Sequence, residues 1–95
     1  MLIEQIKLEN GCALGLNFKM QKYPLLVINA EKGFLMCGYL NTPAAETLGD
    51  AAAKVKGVQN FEDMLKAPVV EVTRQAEELG IEPGMTGREA LERMF

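Results

Sequence analysis

Cys37 is the first candidate for chemistry in this sequence, and it lies inside the apolar segment GFLMCGYLNTP, residues 33–43. A cysteine becomes reactive when a cation, a helix N-terminus or a base stabilises its thiolate. The chain has no histidine to act as that base, although a helix beginning at Thr42 would offer a dipole if the chain folded back. Because free cysteines are among the most buried residues, core packing is favoured for Cys37, and a role as nucleophile is the alternative.

The segment GMTGRE, residues 84–89, is a candidate anion site. Glycines at the start of a helix expose backbone N–H groups, and Arg88 would add a forked donor for a carboxylate or phosphate. Thr86, Gly87 and Arg88 are therefore candidate ligand-binding residues. The segment lacks the longer loop and the lysine of a Walker motif. A capped helix whose glycines form the turn after Pro83 is the simpler explanation.

Asn41 and Thr42 are the third candidate, since they follow the apolar segment at the end of an expected strand and the start of an expected helix. Polar side chains in such a place often line a pocket, and they are equally common as helix caps. Capping is favoured for this pair, and ligand binding is the alternative.

Other catalytic and metal-binding arrangements are missing. Without histidine there is no Ser-His-Asp or Cys-His catalysis, and two cysteines, Cys12 and Cys37, make a poor metal site within one chain. Adjacent carboxylates such as Glu62 and Asp63 would point in different directions on a helix, unlike the facing pair of a glycosidase. We expect no metal and no cofactor, and the residues leave open whether the protein is an enzyme.

The charge distribution argues against nucleic acid as a partner. Residues 1–60 carry six lysines and five acidic residues, whereas residues 61–95 carry four basic and eight acidic residues. No basic cluster is available to neutralise phosphates. The acidic final third would suit a basic protein partner. No apolar run approaches the roughly 20 residues of a membrane span and no signal peptide is evident, so we expect a cytoplasmic protein with reduced thiols.

The elements that must position these candidates begin with two β-hairpins. Residues 12–20 alternate, with the larger apolar side chains on one face, as in a half-buried strand. A three-residue loop at Glu9-Asn10-Gly11 would place Ile6 opposite Leu14, with Gly11 in a left-handed bulge position. A three-residue loop at residues 31–33 would likewise place Ile28 opposite Met36 in the second hairpin.

The remainder of the sequence favours helices. One helix is expected to begin with Thr42 as its cap and to end near Gly49. Asn60 is expected to cap a second, and apolar residues at helical spacing from Val69 to Leu79 indicate a third. The sequence T-x-x-E from Thr86 is a capping box that opens a fourth. Residues 51–58 suit either strand or helix, and we favour a strand.

These elements predict one α+β domain, residues 1–95. It has four N-terminal antiparallel strands in two hairpins, a helix, a fifth strand, and three short helices on one face of the sheet. The strands of the second hairpin are apolar on both faces, so both faces need a cover. Because the few helices would cover only one face, we expect the other to pack against a second copy of the chain.

Three motifs resemble the domain of unknown function 1805 family, which consists of small bacterial and archaeal proteins. They are MCGYL (36–40), GVQNFEDMLKAP (57–68) and LGIEPGMTGREAL (79–91), and the resemblance extends over nearly the whole chain. The resemblance implies an N-terminal β-sheet that forms a tetramerisation region, here 1–40, followed by a mainly helical region, 41–95. It implies no catalytic residue.

The expected function is that of a homo-oligomeric module that binds a small anionic molecule or a protein at its subunit junctions, and the resemblance implies that the module is a tetramer. The alternative is a small enzyme with a site between subunits. Cys37 would then be the nucleophile, and Asn41, Thr42 and Arg88 would orient an anionic substrate.

Overall fold

All of residues 1–95 are described by the computed structural model, in which six strands and four short helices follow one another. The order is β1 Leu2–Lys7, β2 Cys12–Lys19, β3 Pro24–Asn29, β4 Phe34–Met36, α1 Thr42–Leu48, β5 Ala52–Lys54, α2 Phe61–Lys66, β6 Glu71–Val72, α3 Arg74–Glu78 and α4 Gly87–Glu92. The α+β class is confirmed, and the sheet contains one strand, β6, that the sequence did not predict.

The strands lie side by side in chain order, from β1 to β6. Neighbours are antiparallel except β4 and β5, which are parallel and are connected through α1. The strand predicted within residues 51–58 is confirmed and is limited to Ala52–Lys54. None of the four helices has the length and apolar composition that crossing a bilayer would require.

Both hairpins differ from their predicted registers by one residue. Ile6 lies opposite Ala13, where the prediction placed Leu14. Ile28 lies opposite Leu35, where the prediction placed Met36. In each hairpin the glycine carbonyl accepts a hydrogen bond from the residue that precedes the turn, which shortens the predicted three-residue loop. Since a shift of one residue moves side chains to the opposite face, the predicted face assignments are wrong for one strand of each hairpin.

Close packing explains the glycines at both turns. Neither Gly11 nor Gly33 has a positive φ, so the bulge conformation predicted for Gly11 is wrong. A Cβ added to Gly11 would lie 2.5 Å from Cδ1 of the Phe95 ring, and one on Gly33 would collide with the Ala51 carbonyl. The backbone contact therefore requires glycine at position 33, whereas the Phe95 side chain at Gly11 could shift. Local turn rules include neither contact.

Three helices cover one face of the sheet. Strand side chains on this face pack with residues of α2, α3 and α4 into the main core. Helix α1 lies on the opposite face. Its residue Ala45 packs with Met36 of β4 and Ala52 of β5, and these two residues alternate along their strands with the residues that belong to the main core. The main-core side chains with no measurable exposure include Leu26, Ile28, Leu35, Met64, Ile81, Leu91 and Met94.

On the α1 side, strands β1 to β3 have no helix over them, and we call this surface the bare face. Direct pairing between strands places five apolar side chains on it: Ile3, Leu14, Leu16, Phe18 and Val27. Leu25, opposite Phe18, also packs against the main core. Ile3, Leu14 and Phe18 are 56%, 51% and 48% exposed. The larger apolar residues of β2 share one face, as predicted, and that face is this open surface.

The helix expected from Val69 to Leu79 is instead a strand followed by a shorter helix. The Val70 N–H donates to the Lys54 carbonyl and the Thr73 N–H to that of Ala52, so this segment extends the sheet next to β5. Although the apolar residues of this segment have helical spacing, the hydrogen bonds that it forms along β5 favour a strand. Residues 41–95 consequently contain two strands, β5 and β6, as well as helices.

Most of the predicted helix ends are confirmed. Asn60 caps α2, and Thr86 with Glu89 forms a complete capping box at the start of α4. Helix α1 ends at Gly49, whose φ of 80° is left-handed. Its N-cap is Asn41, one residue before the predicted Thr42. The side chain of Asn41 bonds to the N–H of the third following residue, as a short amide side chain does readily.

Candidate functional site

A cleft of about 300 Å³ lies at one end of the sheet, beside Cys37. Strand β3 begins at this end of the sheet, and β4 and β5 end there, because β4 is antiparallel to β3 and parallel to β5. The carboxyl ends of parallel strands are common positions for ligands, since the connecting loops diverge there. Seven residues line the cleft: Tyr23, Pro24, Cys37, Gly38, Tyr39, Gly57 and Val58.

Cys37 forms part of the floor of this cleft and is 3% exposed. Its Sγ accepts a hydrogen bond from the Leu26 N–H at 3.3 Å, and its own N–H donates to the Leu26 carbonyl at 3.1 Å. No salt bridge or side-chain hydrogen bond places a cation or a base on the sulfur. The surroundings of Cys37 therefore match those of a packed thiol rather than those of an activated nucleophile.

The two cysteines should differ strongly in their reaction with a thiol reagent, because Cys12 is exposed and Cys37 is buried. Two native single-cysteine variants allow the comparison: Cys12→Ser leaves Cys37, and Cys37→Ser leaves Cys12. Labelling of Cys37 should be slower than labelling of Cys12 by about 100-fold or more, since Cys37 reacts only after local opening. Labelling rates followed by mass spectrometry measure the ratio. Rapid labelling of Cys37 below neutral pH would contradict this expectation and would support the enzyme alternative.

Asn41 and Thr42, two of the predicted ligand-binding residues, lie at the start of α1 and do not line the cleft. The Thr42 hydroxyl donates to the Glu71 carboxylate at 2.6 Å, and the buried Lys54 ammonium lies 3.5 Å from the same carboxylate. The hydrogen bond from Thr42, and then the charge of Lys54, hold the pKa of Glu71 below its usual value. Asn41 therefore caps α1, and the bond from Thr42 to Glu71 connects α1 to β6 at the edge of the sheet.

Thr86, Gly87 and Arg88 lie at the start of α4, where internal bonds take most of the N–H groups that an anion would need. The Thr86 N–H donates to the Glu89 carboxylate at 3.0 Å, and the Glu89 N–H donates to the Thr86 hydroxyl at 3.2 Å. The Gly87 N–H donates to the Ala67 carbonyl at 2.9 Å. The hydrogen bond from the Thr86 backbone lowers the pKa of Glu89. An intrinsic carboxylate thus occupies the position that an external anion would take.

The two tyrosines of the cleft were not identified as site residues from the sequence. Tyr23 and Tyr39 are 50% and 48% exposed and form aromatic walls. Tyr23 precedes the proline that begins β3, and Tyr39 follows a glycine just after β4. Exposed aromatic residues beside glycine and proline at strand ends were the available signal. The antiparallel pairing of β3 with β4 brings the two rings together, and the parallel pairing of β4 with β5 adds Gly57 and Val58 to the cleft.

The fold and the cleft define a small α+β protein without a recognisable set of catalytic residues. No group of three histidine, cysteine, aspartate or glutamate residues is placed to hold a metal ion. A family model described as a domain of unknown function (DUF1805) matches residues 36–94, and the chain belongs to this family.

Two known proteins are similar over almost the whole chain. The uncharacterized protein YunC of Bacillus subtilis is 33% identical over 94 residues, which cover 95% of this chain and 93% of that protein. The crystal structure of TA1206 from Thermoplasma acidophilum, a protein of unknown function, has a TM-score of 0.94 and 35% sequence identity, and the match covers 99% of this chain and 92% of that one. These similarities support the fold, and the names of both proteins assign no function.

Proposed function

We propose that the protein is a homo-oligomeric binding module, assembled through the bare face of its N-terminal sheet, that holds a small molecule in the cleft beside Cys37. The bare face is the main observation in support of assembly, because its apolar side chains would remain in water in a monomer. The two unpaired cysteines suit a reducing compartment, and we propose the cytoplasm as its location.

A second copy of the chain is the occupant proposed for the bare face. Sheets that are apolar on one side pack face to face at about 10 Å, with interdigitated side chains. Leu14, Leu16 and Phe18 recur along β2 and directly face Asn29, Val27 and Leu25 of β3. Such a surface is suited to pack against its own copy around a two-fold axis. Strand β1 adds an unpaired edge six residues long, which offers a second contact for a tetramer.

Sedimentation velocity at micromolar concentration tests the assembly. Wild-type protein should sediment as a dimer or tetramer, and the double variant Leu14→Glu/Phe18→Glu should sediment as a folded monomer, because a buried carboxylate without a partner is costly. Val70→Glu is the control, since Val70 is 42% exposed and lies next to β6, the strand farthest from β1. A wild-type protein that stays monomeric would exclude this assembly.

The enzyme alternative has less support. It requires Cys37 to ionise and Arg88 to hold an anionic substrate, yet Cys37 is buried and Arg88 does not line the cleft. Bringing the two together would need a contribution from a second subunit. The cleft, in contrast, is formed within one chain, and its walls and floor are mainly apolar and aromatic. Such a composition is typical of binding sites.

A further inference from the structure

We propose that the cleft beside Cys37 binds a planar small molecule that carries an anionic group. This inference rests on the proposed binding function and specifies its ligand. It follows from a second cleft that adjoins the first, from the charges around both, and from the two exposed tyrosine rings.

The second cleft has a volume of about 270 Å³ and shares Tyr23 and Pro24 with the first. It extends the site along the same end of the sheet, towards the end of β2 and the residues just before α2. Its other lining residues are polar or flexible: Asn17, Lys19, Met20, Gln21, Lys22 and Gln59. The combined site is therefore apolar and aromatic at one end and polar at the other.

The charges at the polar end are positive. Lys19 and Lys22 line the second cleft, and no acidic residue lines either cleft. Lys56 approaches the first cleft with its aliphatic chain, since its Cγ would lie 3.8 Å from a Cβ added to Gly38, whereas its charge acts on the Glu71 carboxylate. The whole chain carries a net charge of −3, yet the charged side chains that line the second cleft are two lysines. These two lysines favour a ligand with one anionic group.

The rings at the other end favour a planar ligand. Tyr23 and Tyr39 each expose about half of their surface at the cleft, and a phenol ring that stacks on a ligand ring contributes beyond its buried area. The volume of the first cleft is near the lower limit of ligand pockets, which begin at about 300 Å³. A single or fused ring therefore fits the cleft better than a peptide or a nucleic acid strand.

The site is separate from the surface proposed for assembly. Cys37 and Val58 belong to the main core beneath α2, α3 and α4. Asn17 and Lys19 alternate along β2 with the residues of the bare face, so they point to the helix-covered side. A variant that dissociates the oligomer should consequently retain ligand binding, which allows the two proposals to fail independently.

Isothermal titration with five probes tests the inference: adenosine 5′-monophosphate and 2-naphthoate as planar anions, adenosine and 2-naphthol as uncharged counterparts, and inorganic phosphate. We expect at least one planar anion to bind about 10-fold or more tightly than its uncharged counterpart and than phosphate. Equal affinity for charged and uncharged rings would overturn the anionic requirement and leave a binding module. If none of the five binds, both the ligand class and the binding function fail.

Variants locate the site with the planar anion that binds best. Lys19→Gln/Lys22→Gln and Tyr39→Leu should each weaken its binding about 10-fold, and Lys7→Gln, at an exposed lysine on β1, should leave it unchanged. Leu14→Glu/Phe18→Glu should also leave it unchanged, even when that variant sediments as a monomer. Loss of binding in this variant, or unchanged binding in both cleft variants, would overturn the assignment of the site to the cleft.

Discussion

Gly87→Ala should destabilise the protein by about 3 kcal/mol, because the new methyl group has no space. A Cβ at Gly87 would collide with the Met64 carbonyl and would lie 2.8 Å from Cδ2 of Leu35. The first turn of α4 is held between α2 and the centre of the sheet, and a backbone carbonyl does not move away as a flexible side chain would. The free energy of unfolding, from urea denaturation followed by circular dichroism, measures the loss.

Gly38→Ala is the matched control for this prediction. The one heavy atom near a Cβ at Gly38 is Cγ of Lys56 at 3.8 Å, an ordinary contact, and Gly38 has no positive φ. Its stability should stay within about 0.5 kcal/mol of wild type. A Gly87→Ala protein as stable as the Gly38→Ala protein would show that α4 can move off the sheet without cost.

Leu91→Ala should cost about 3 kcal/mol, within the range measured for large-to-small substitutions in cores. Leu91 has no exposed surface and belongs to the main core on the helix-covered face. Its truncation removes apolar burial and leaves a cavity between α4 and its neighbours, since close-packed surroundings collapse only partly. Thermal and urea unfolding should both show the loss.

Leu48→Ala makes the same chemical change on a different helix. Leu48 is the last residue of α1 and is 77% exposed, so its truncation should change stability by less than about 0.5 kcal/mol. Equal losses at the two leucines would mean that Leu48 is buried in the assembled protein, and sedimentation of the variant would identify that case.

Features that depend on a few neighbouring residues could be predicted from the sequence. The capping box of Thr86 and Glu89 and the cap at Asn60 use side chains and N–H groups three residues apart, and both are confirmed. The strand at Ala52–Lys54 is favoured over a helix, because the valines at 55 and 58 favour extended structure and the glycine at 57 disfavours a helix. Local physical chemistry is sufficient for such elements.

Features that depend on distant contacts were missed. The close approach of Phe95 to Gly11 and of Ala51 to Gly33 is one such contact at each hairpin turn. Strand β6 forms because β5 offers it an edge, and β5 is itself placed by pairing with β4. The cleft has the same origin in part, since Gly57 and Val58 reach the hairpin residues Tyr23 and Tyr39 only because β5 pairs with β4. A single sequence contains no direct record of these contacts.

The tip of the first hairpin is tied to the far end of the chain, and this link has a consequence for how the molecule opens. The N–H groups of Glu9 and Asn10 each donate to the Glu92 carboxylate at 2.9 Å, across separations of 83 and 82 residues. A contact between such remote segments forms only when most of the intervening structure is in place. The amides of residues 9 and 10 should take up deuterium more slowly in the wild-type protein than in a Glu92→Ala variant, because each exchanges only after its bond to the Glu92 carboxylate opens.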